Sequence, residues 1–212
     1  MTDTALPPLL LARGLRLERQ GRVLWRSLDL ALRPAEQLWL RGPNGCGKTT
    51  LLRTLAGLRA PARGQVQRTA ALRWLSHAHG LKDELTLDET LTLEARLHAA
   101  GSGQRAPSAQ ALAPRLDAAR RALGLERLGA RACRTLSQGQ RRRAALATLL
   151  LDDGHQPPAV WLLDEPFDAL DDDGVQRLHT LIDGHLARGG AVLYTSHQDP
   201  GRTARTLSWT AN

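Results

Sequence analysis

A glycine-rich segment at residues 42–50 has the residue types and the spacing of a loop that binds phosphate. Gly42 and Gly47 are separated by four residues, and Lys48 and Thr49 follow at once. Glycines let the backbone curl so that several N–H groups point at one phosphate. Lys48 can bridge the β- and γ-phosphates of a nucleotide, and the Thr49 hydroxyl can ligate Mg²⁺. The residues predicted to bind are Gly42, Pro43, Asn44, Gly45, Cys46, Gly47, Lys48, Thr49 and Thr50.

The neighbours of this segment support that interpretation. Residues 37–41 form a short apolar run typical of a strand, and residues 50–56 have the apolar spacing of a helix. A helix that begins at the loop adds the positive end of its dipole to the same site. The alternative is a glycine- and proline-rich turn that binds nothing, and the strand–loop–helix order argues against it.

Two adjacent carboxylates follow a second apolar run, at residues 159–163. Beside a phosphate site, Asp164 would support the Mg²⁺ ion. Glu165 would orient or deprotonate a water molecule that attacks the γ-phosphate. The alternative is a pair of acids at a strand end that face only solvent.

Another pattern directed at an anion is found at residues 136–140. The Ser137 hydroxyl and the Gly139 backbone N–H precede an apolar helix, which we predict at residues 144–151. A helix N-terminus would therefore point at an anion here as well. A serine-capped helix without any ligand has the same pattern, and this segment alone does not distinguish the two.

An α/β fold has to position these residues. Alternating apolar and polar residues at 9–33, with a turn at residues 20–21, predict an N-terminal antiparallel β region. Strand patterns then alternate with helical ones, which indicates a core with a mixed or parallel sheet. The further strands are predicted at residues 37–41, 66–67, 72–75, 159–163 and 191–195, and helices follow at residues 50–56 and 174–187.

Residues 81–150 have helical spacing between the two halves of this core. Thr86 and Glu89 have the spacing of a capping box at a helix start. We predict a single domain over residues 1–212, with residues 81–150 as an inserted helical lobe. A separate helical domain is the alternative, but strand patterns resume after the lobe.

Composition and charge limit the class of protein. Twenty-nine basic and 21 acidic residues give a formal net charge of +8, which fits either an anionic partner or ordinary surfaces rich in arginine. An aromatic content of 3% argues against a surface that stacks on nucleic-acid bases. The two cysteines do not indicate a disulfide framework, and no segment has the pattern of a membrane span or a signal peptide. We therefore expect a cytoplasmic chain.

The five motifs, taken in order, resemble those of the ATP-binding cassette family. They are residues 42–50, 136–140, 163–166, 169–171 and 196–197, and the resemblance spans nearly the whole chain. It implies a phosphate-loop NTPase core, ATP and Mg²⁺ as cofactors, and two cassettes that hold two ATP molecules between them in a head-to-tail dimer.

The resemblance also implies a role for each motif residue. Thr49 and Asp164 would support the metal, Glu165 would be the catalytic carboxylate, and His197 would be a switch residue that contacts the γ-phosphate. A second cassette's ATP would be contacted by residues of the signature segment, which are Ser137, Gln138, Gly139 and Gln140. Residues 167–171 would lie along the dimer interface.

A narrower likeness lies around residues 75–91, where a Ser-His pair is followed by Gly-Leu-Lys, Glu-Leu-Thr and Glu-Thr-Leu. This stretch is similar to the haem-exporter ATPases of bacterial cytochrome c maturation. The partners implied are a polytopic membrane permease and cytochrome c maturation proteins, at the cytoplasmic face of the inner membrane. No direct nucleic-acid partner is expected. A cassette ATPase for another cargo, and a soluble cassette protein that acts on nucleic acid or ribosomes, are the alternatives.

Several positions depart from the usual cassette pattern, among them Gln138 and Ala35, which each replace a glycine. His77 stands where most cassettes have glutamine, and because imidazole is a poor ligand for Mg²⁺, direct metal contact is not expected of it. The aromatic residue that usually stacks on adenine is absent. Arg19 stands near that position and Trp25 lies further on.

Overall fold

The computed structural model describes residues 6–77, 80–101, 103–151, 159–197, 201 and 203–209. The chain divides into two compact units, one made of residues 1–77, 157–166 and 182–212, and one made of residues 78–156 and 167–181. The strands are β1 (Leu10–Arg19), β2 (Arg22–Leu32), β3 (Gln37–Arg41), β4 (Arg63–Arg68), β5 (Leu72–Leu75), β6 (Val160–Leu163), β7 (Ala191–Thr195) and β8 (Arg205–Ser208). The helices are α1 (Lys48–Leu55), α2 (Leu87–Gly101), α3 (Ala109–Ala122), α4 (Gln138–Ala147) and α5 (Asp172–Ala187).

The first unit contains a three-stranded antiparallel sheet in the order β2-β1-β4. β1 and β2 form the hairpin expected at residues 20–21, where Gln20 and Gly21 have φ values of 51° and 75°. Such left-handed residues match the twist of the strands they join. The buried faces of β1 and β2 pack leucines into the core of this unit. The core residues on these two strands are Leu10, Ala12, Leu15, Leu17, Trp25, Leu28, Leu30 and Leu32.

The second sheet of the same unit has the order β5-β6-β7-β3-β8, and all its pairs are parallel. β6 and β7 are fully buried, as parallel strands commonly are. Because β6, β7 and β3 are neighbours, their carboxyl ends meet at one edge. The phosphate-loop segment, the carboxylates and His197 each follow one of these three strands, so the topology brings three of the predicted motifs together. β8 was not predicted from the sequence.

Helices make up most of the second unit, which is where the sequence predicts the lobe. α2 begins at the predicted capping box: the Thr86 N–H donates to Glu89 Oε2 (2.8 Å), and the Glu89 N–H donates to Thr86 Oγ1 (3.2 Å). The helix expected at residues 144–151 is wrong in its bounds, because α4 spans Gln138–Ala147 and a short 3-10 helix follows at Thr148–Leu150. The cap at Ser137 starts the helix six residues before its apolar stretch. That the chain works as one domain stays a prediction.

The three consecutive arginines at residues 141–143 make their described contacts within the second unit. Arg141 donates to Asp83 Oδ1 (2.7 Å) and to the Cys133 carbonyl oxygen (2.9 Å). The Arg142 side chain is fully buried, and Arg143 lies 3.8 Å from Asp173. These arginines therefore contribute to the packing of the unit and do not form an exposed cationic patch. Among the described residues, no helix is long and apolar enough to cross a membrane.

Candidate active site

The phosphate-loop segment connects β3 to α1 as predicted, and its curvature depends on two glycines. Gly45 and Gly47 have φ values of 76° and 107°, a region that other residues rarely adopt. Gly47 is also the N-cap of α1, where no side chain caps the helix and no acid lies in the first turn. A helix start without a side-chain acceptor leaves backbone N–H groups available to an anion.

Lys48 lies inside this curve. Its side chain is buried, and its Nζ donates to the carbonyl oxygens of Gly42 (2.8 Å) and Pro43 (3.3 Å). An ammonium group held here places a positive charge at the anion-accepting loop. Cys46 contributes no charge of its own, because burial raises the pKa of its thiol, although nearby Lys48 opposes the shift.

Thr49 and Asp164 meet at the carboxyl edge of the parallel sheet. The Thr49 hydroxyl donates to Asp164 Oδ2 (2.8 Å), and the Thr195 hydroxyl donates to Asp164 Oδ1 (3.0 Å). A hydroxyl and a carboxylate oxygen are the hard ligands that Mg²⁺ prefers, and this ion is commonly held by a few protein groups together with substrate phosphates. The donor set therefore fits a magnesium site.

Glu165 is held in an unusual backbone conformation. Its φ is 50°, and its N–H donates to Thr195 Oγ1 (2.8 Å). A left-handed residue other than glycine persists only where its surroundings fix it, and here a buried threonine on β7 does so. The turn directs the carboxylate along the sheet edge towards His197.

Glu165 and His197 are in direct contact. The His197 N–H donates to Glu165 Oε2 (3.1 Å), and the His197 Nε2 lies 3.1 Å from Glu165 Oε1. The Glu165 side chain is 9% exposed, whereas that of His197 is 43% exposed. A shielded carboxylate next to an accessible imidazole can take and pass a proton at a surface that substrate can reach.

The signature segment belongs to the second unit. Ser137 Oγ accepts from the Gln140 N–H (3.2 Å), and Gln140 Oε1 accepts from the Ser137 N–H (3.0 Å), which makes a complete capping box. A Cβ on Gly139 would lie 2.9 Å from the Ala169 carbonyl oxygen, so this segment packs closely against residues 167–171. Gln138 is exposed. In the single chain, the serine hydroxyl therefore serves as a helix cap.

His77, Arg19 and Trp25, which were considered where the chain departs from the cassette pattern, lie in the first unit. His77 is exposed and follows β5, whose Leu75 carbonyl oxygen accepts from the Asp164 N–H (2.9 Å). Arg19 is exposed at the end of β1, whereas Trp25 is 9% exposed and belongs to the hydrophobic core. Trp25 is therefore not free to stack on a base.

Three residues near the site were missed in the sequence. Thr195 holds both Asp164 and Glu165, and the Trp39 indole N–H donates to the Ser196 carbonyl oxygen (3.2 Å). Trp209 follows the unpredicted strand β8. Thr195 was detectable in principle, because it is the polar residue that ends an apolar run directly before Ser196 and His197.

Comparisons with known proteins show the family of this chain. The family model described as ABC transporter matches residues 25–168. The chain is 43% identical over 194 residues to the "Cytochrome c biogenesis ATP-binding export protein CcmA" of Hyphomonas neptunium, covering 92% of each chain. It is 43% identical over 212 residues to the protein of the same name from Bordetella bronchiseptica, covering 94% of this chain and 88% of that one.

A solved structure described as the ATP binding subunit of an ABC transporter has the same fold. Its TM-score is 0.75 at 24% identity, and the match covers 89% of this chain and 79% of that one. The family match spans more than half of the sequence and includes the phosphate loop, the signature segment and both strand-end carboxylates. The chain therefore belongs to the ABC transporter family, as an ATP-binding and ATP-hydrolysing subunit.

Proposed function

We propose that this chain is the ATPase subunit of a haem exporter that serves cytochrome c maturation. The observation that carries the cargo assignment is the identity of 43% over 92% of the chain to a curated CcmA export protein. The stretch around His77, at residues 75–91, supports the same assignment. Cargo would be bound by a separate polytopic permease, with which this chain and cytochrome c maturation proteins would assemble at the cytoplasmic face of the inner membrane.

The phosphate loop binds ATP in this proposal. Residues 42–50 would surround the phosphates with backbone N–H groups, and Lys48 would exchange its bonds to the Gly42 and Pro43 carbonyl oxygens for bonds to phosphate oxygens. Thr49 and Asp164 would hold Mg²⁺, which when bound neutralises charge on the phosphates. The support for these roles is the uncapped start of α1 and the contact of 2.8 Å between the Thr49 hydroxyl and Asp164.

Glu165 acts as the general base. Its carboxylate would accept the proton of a water molecule as that water attacks the γ-phosphate, and His197 would hold the carboxylate and contact the phosphate. Thr195 fixes the left-handed turn that directs Glu165 along the sheet edge. The support is the pair of 3.1 Å approaches of the His197 N–H and Nε2 to the two carboxylate oxygens.

Two copies of the chain would close on two ATP molecules. Ser137, Gln138, Gly139 and Gln140 of one copy would then face the nucleotide of the other. Because Ser137 and Gln140 cap each other in the single chain, their bonds to phosphate would add to a helix start that is already formed. Closing and reopening of the dimer would drive the permease.

Capture of partners tests the transport assignment. A tagged chain is purified from detergent-solubilised bacterial membranes, and the proteins that accompany it are identified by mass spectrometry. A polytopic permease together with cytochrome c maturation proteins is the expected result. A different permease would overturn the cargo, and ribosomal or nucleic-acid proteins alone would overturn transport.

A genetic test separates the ATPase from its cargo. In a bacterium that lacks the gene, the wild-type chain should restore haem-stained cytochrome c. Lys48→Ala should not restore it, although the protein accumulates to the same level. Normal cytochrome c in the deletion strain itself would contradict the haem assignment.

A further inference from the structure

The C-terminal strand ends directly behind the phosphate loop. β8 pairs in parallel with β3, so that Ser208 lies opposite Arg41, the residue before the loop. The Trp209 N–H continues this pairing by donating to the Arg41 carbonyl oxygen (2.8 Å). The pairing fixes the Trp209 backbone next to Gly42, where the chain leaves the sheet to form the loop.

Trp209 packs closely against the first glycine of the loop. A Cβ on Gly42 would lie 2.9 Å from the Trp209 Cβ and 2.8 Å from Cys46 Sγ, distances at which atoms would overlap. The loop is therefore backed at this point by the tryptophan and by its own cysteine, which leave no room for a side chain at residue 42.

The indole connects this contact to the other end of the loop. Trp209 Nε1 donates to the Leu24 carbonyl oxygen (3.1 Å). The Leu24 side chain in turn lies against Gly47, where an added Cβ would meet Leu24 Cδ1 at 3.0 Å. Trp209 and Leu24 thus support the two glycines between which the phosphate loop curves.

Trp209 contributes to the lining of two cavities. One cavity of about 330 Å³ is lined by Gly42, Pro43, His197 and Trp209, among others. A second, of about 360 Å³, is lined by Leu24, Gly45, Cys46 and Trp209, among others. Without the indole, the back of the loop would lose the contacts that oppose its movement into this space.

We infer that Trp209 is a positioning residue that holds the phosphate loop in its nucleotide-accepting shape before nucleotide binds. Lys48 ties the loop from within by its bonds to Gly42 and Pro43, and Trp209 supports it from behind. A loop that is already ordered loses less conformational entropy when its ligand arrives, so affinity is higher. The inference rests on the proposed function only in taking residues 42–50 as the ATP site.

The expected signature is a change in ATP affinity with little change in turnover. The hydrogen bonds described for Trp209 go to Arg41 and Leu24, whereas Glu165 and His197 follow β6 and β7. Trp209→Phe keeps an aromatic ring but removes the N–H donor, and we expect it to raise the Kd for ATP about fivefold, the factor for one neutral hydrogen bond. Trp209→Ala also removes the ring and should raise the Kd further.

The test measures ATP Kd, KM and kcat for the full-length chain. The matched control is Trp74→Phe, since Trp74 is another half-buried tryptophan against the same core, on the opposite edge strand β5. The control should bind ATP as wild type does, and kcat should change by less than about twofold in Trp209→Phe. Subtracting the emission spectrum of Trp209→Phe from that of wild type should give the fluorescence of Trp209 itself. We expect this spectrum to shift when ATP is added.

Each measured Kd either supports or overturns the positioning role of Trp209. If Trp209→Ala does not fold, Trp209→Phe decides alone. A Kd within about twofold of wild type in Trp209→Phe, or an equal rise in Trp74→Phe, would overturn the positioning role. If the wild-type chain itself bound no ATP, the proposed function would be wrong. If wild type bound ATP and Trp209→Phe bound it equally well, only the positioning role would be wrong, so the two failures are distinguishable.

Discussion

Replacing Thr195 by valine removes one hydroxyl on which two acidic residues depend. Thr195 is fully buried, and its Oγ1 accepts from the Glu165 N–H (2.8 Å) and donates to Asp164 Oδ1 (3.0 Å). Valine has nearly the same shape, so the change leaves no large cavity. It leaves a buried N–H and a buried carboxylate oxygen each short of one partner.

The decrease in the free energy of unfolding caused by Thr195→Val can be estimated from these two hydrogen bonds. A hydrogen bond to a charged group contributes about 1.5–3 kcal/mol and a neutral one about 0.5–1.5 kcal/mol, which together give about 2–4.5 kcal/mol. In a chain of 212 residues, 1 kcal/mol lowers Tm by about 2–4 °C. We therefore expect Tm to decrease by about 4–18 °C, measured as thermal unfolding followed by circular dichroism.

The same variant should lose activity at permissive temperature. Without its anchor, the left-handed turn at Glu165 relaxes and the carboxylate moves, and a displacement of 1 Å at a reacting group costs about 100-fold in rate. Thr195→Ser keeps the oxygen and should retain most of the activity and stability. Thr206→Val, the same change at an exposed position of β8, is the control for β-strand propensity. The reasoning is refuted if Thr195→Val matches Thr206→Val in both Tm and kcat.

Two further substitutions probe other parts of the chain. Lys48→Ala should weaken ATP binding, because it removes both the ammonium group and its bonds to the loop carbonyl oxygens; unchanged affinity in an equilibrium titration would contradict the role of this residue. Glu94→Gln should raise Tm at neutral pH, because burial raises the pKa of the Glu94 carboxyl above its ordinary value of 4.5 and so disfavours the charged form in the folded chain. The stability contributed by the protonated form is fully present below pH 4.5 and is lost as the pH rises through the folded-state pKa. The gain from Glu94→Gln should therefore vanish in unfolding curves recorded below pH 4.5, and a gain of equal size at both pH values would contradict this reasoning.

Local sequence signals predicted much of the fold around the site. The run at residues 37–41 coincides with β3, because its central residues 38–40 are apolar, as is typical of a short, buried parallel strand. The turn at Gln20 and Gly21 and the capping box at Thr86 also lie where they were expected. Each of these depends on residues a few positions apart, which a reader of the sequence can see.

Features set by distant contacts were not predictable in this way. β8 has one partly buried apolar residue, Leu207, and exists because its backbone pairs with β3. The hydroxyl of Thr195 finds partners 30 and 31 residues away in the chain. The start of α4 was misplaced because its first six residues are polar or glycine, and the reciprocal cap at Ser137 decides where the helix begins.

The motif residues themselves were identified from their order along the chain, and the structure adds how some of them meet. Thr49 contacts Asp164, and Glu165 contacts His197 by both backbone and side chain. No local pattern predicts the left-handed turn at Glu165. The roles of these residues remain predictions until substitutions test them.

ATP hydrolysis by Glu165→Gln, measured with ATP binding on the same preparation, tests the central claim most directly. The substitution preserves size and removes the base, and general base catalysis contributes about 10²–10⁴-fold to a rate. We expect the Kd for ATP to stay within about threefold of wild type, and kcat to fall by at least about 100-fold. Hydrolysis at the wild-type rate would show that the proton is taken by another group and would contradict the account of the site.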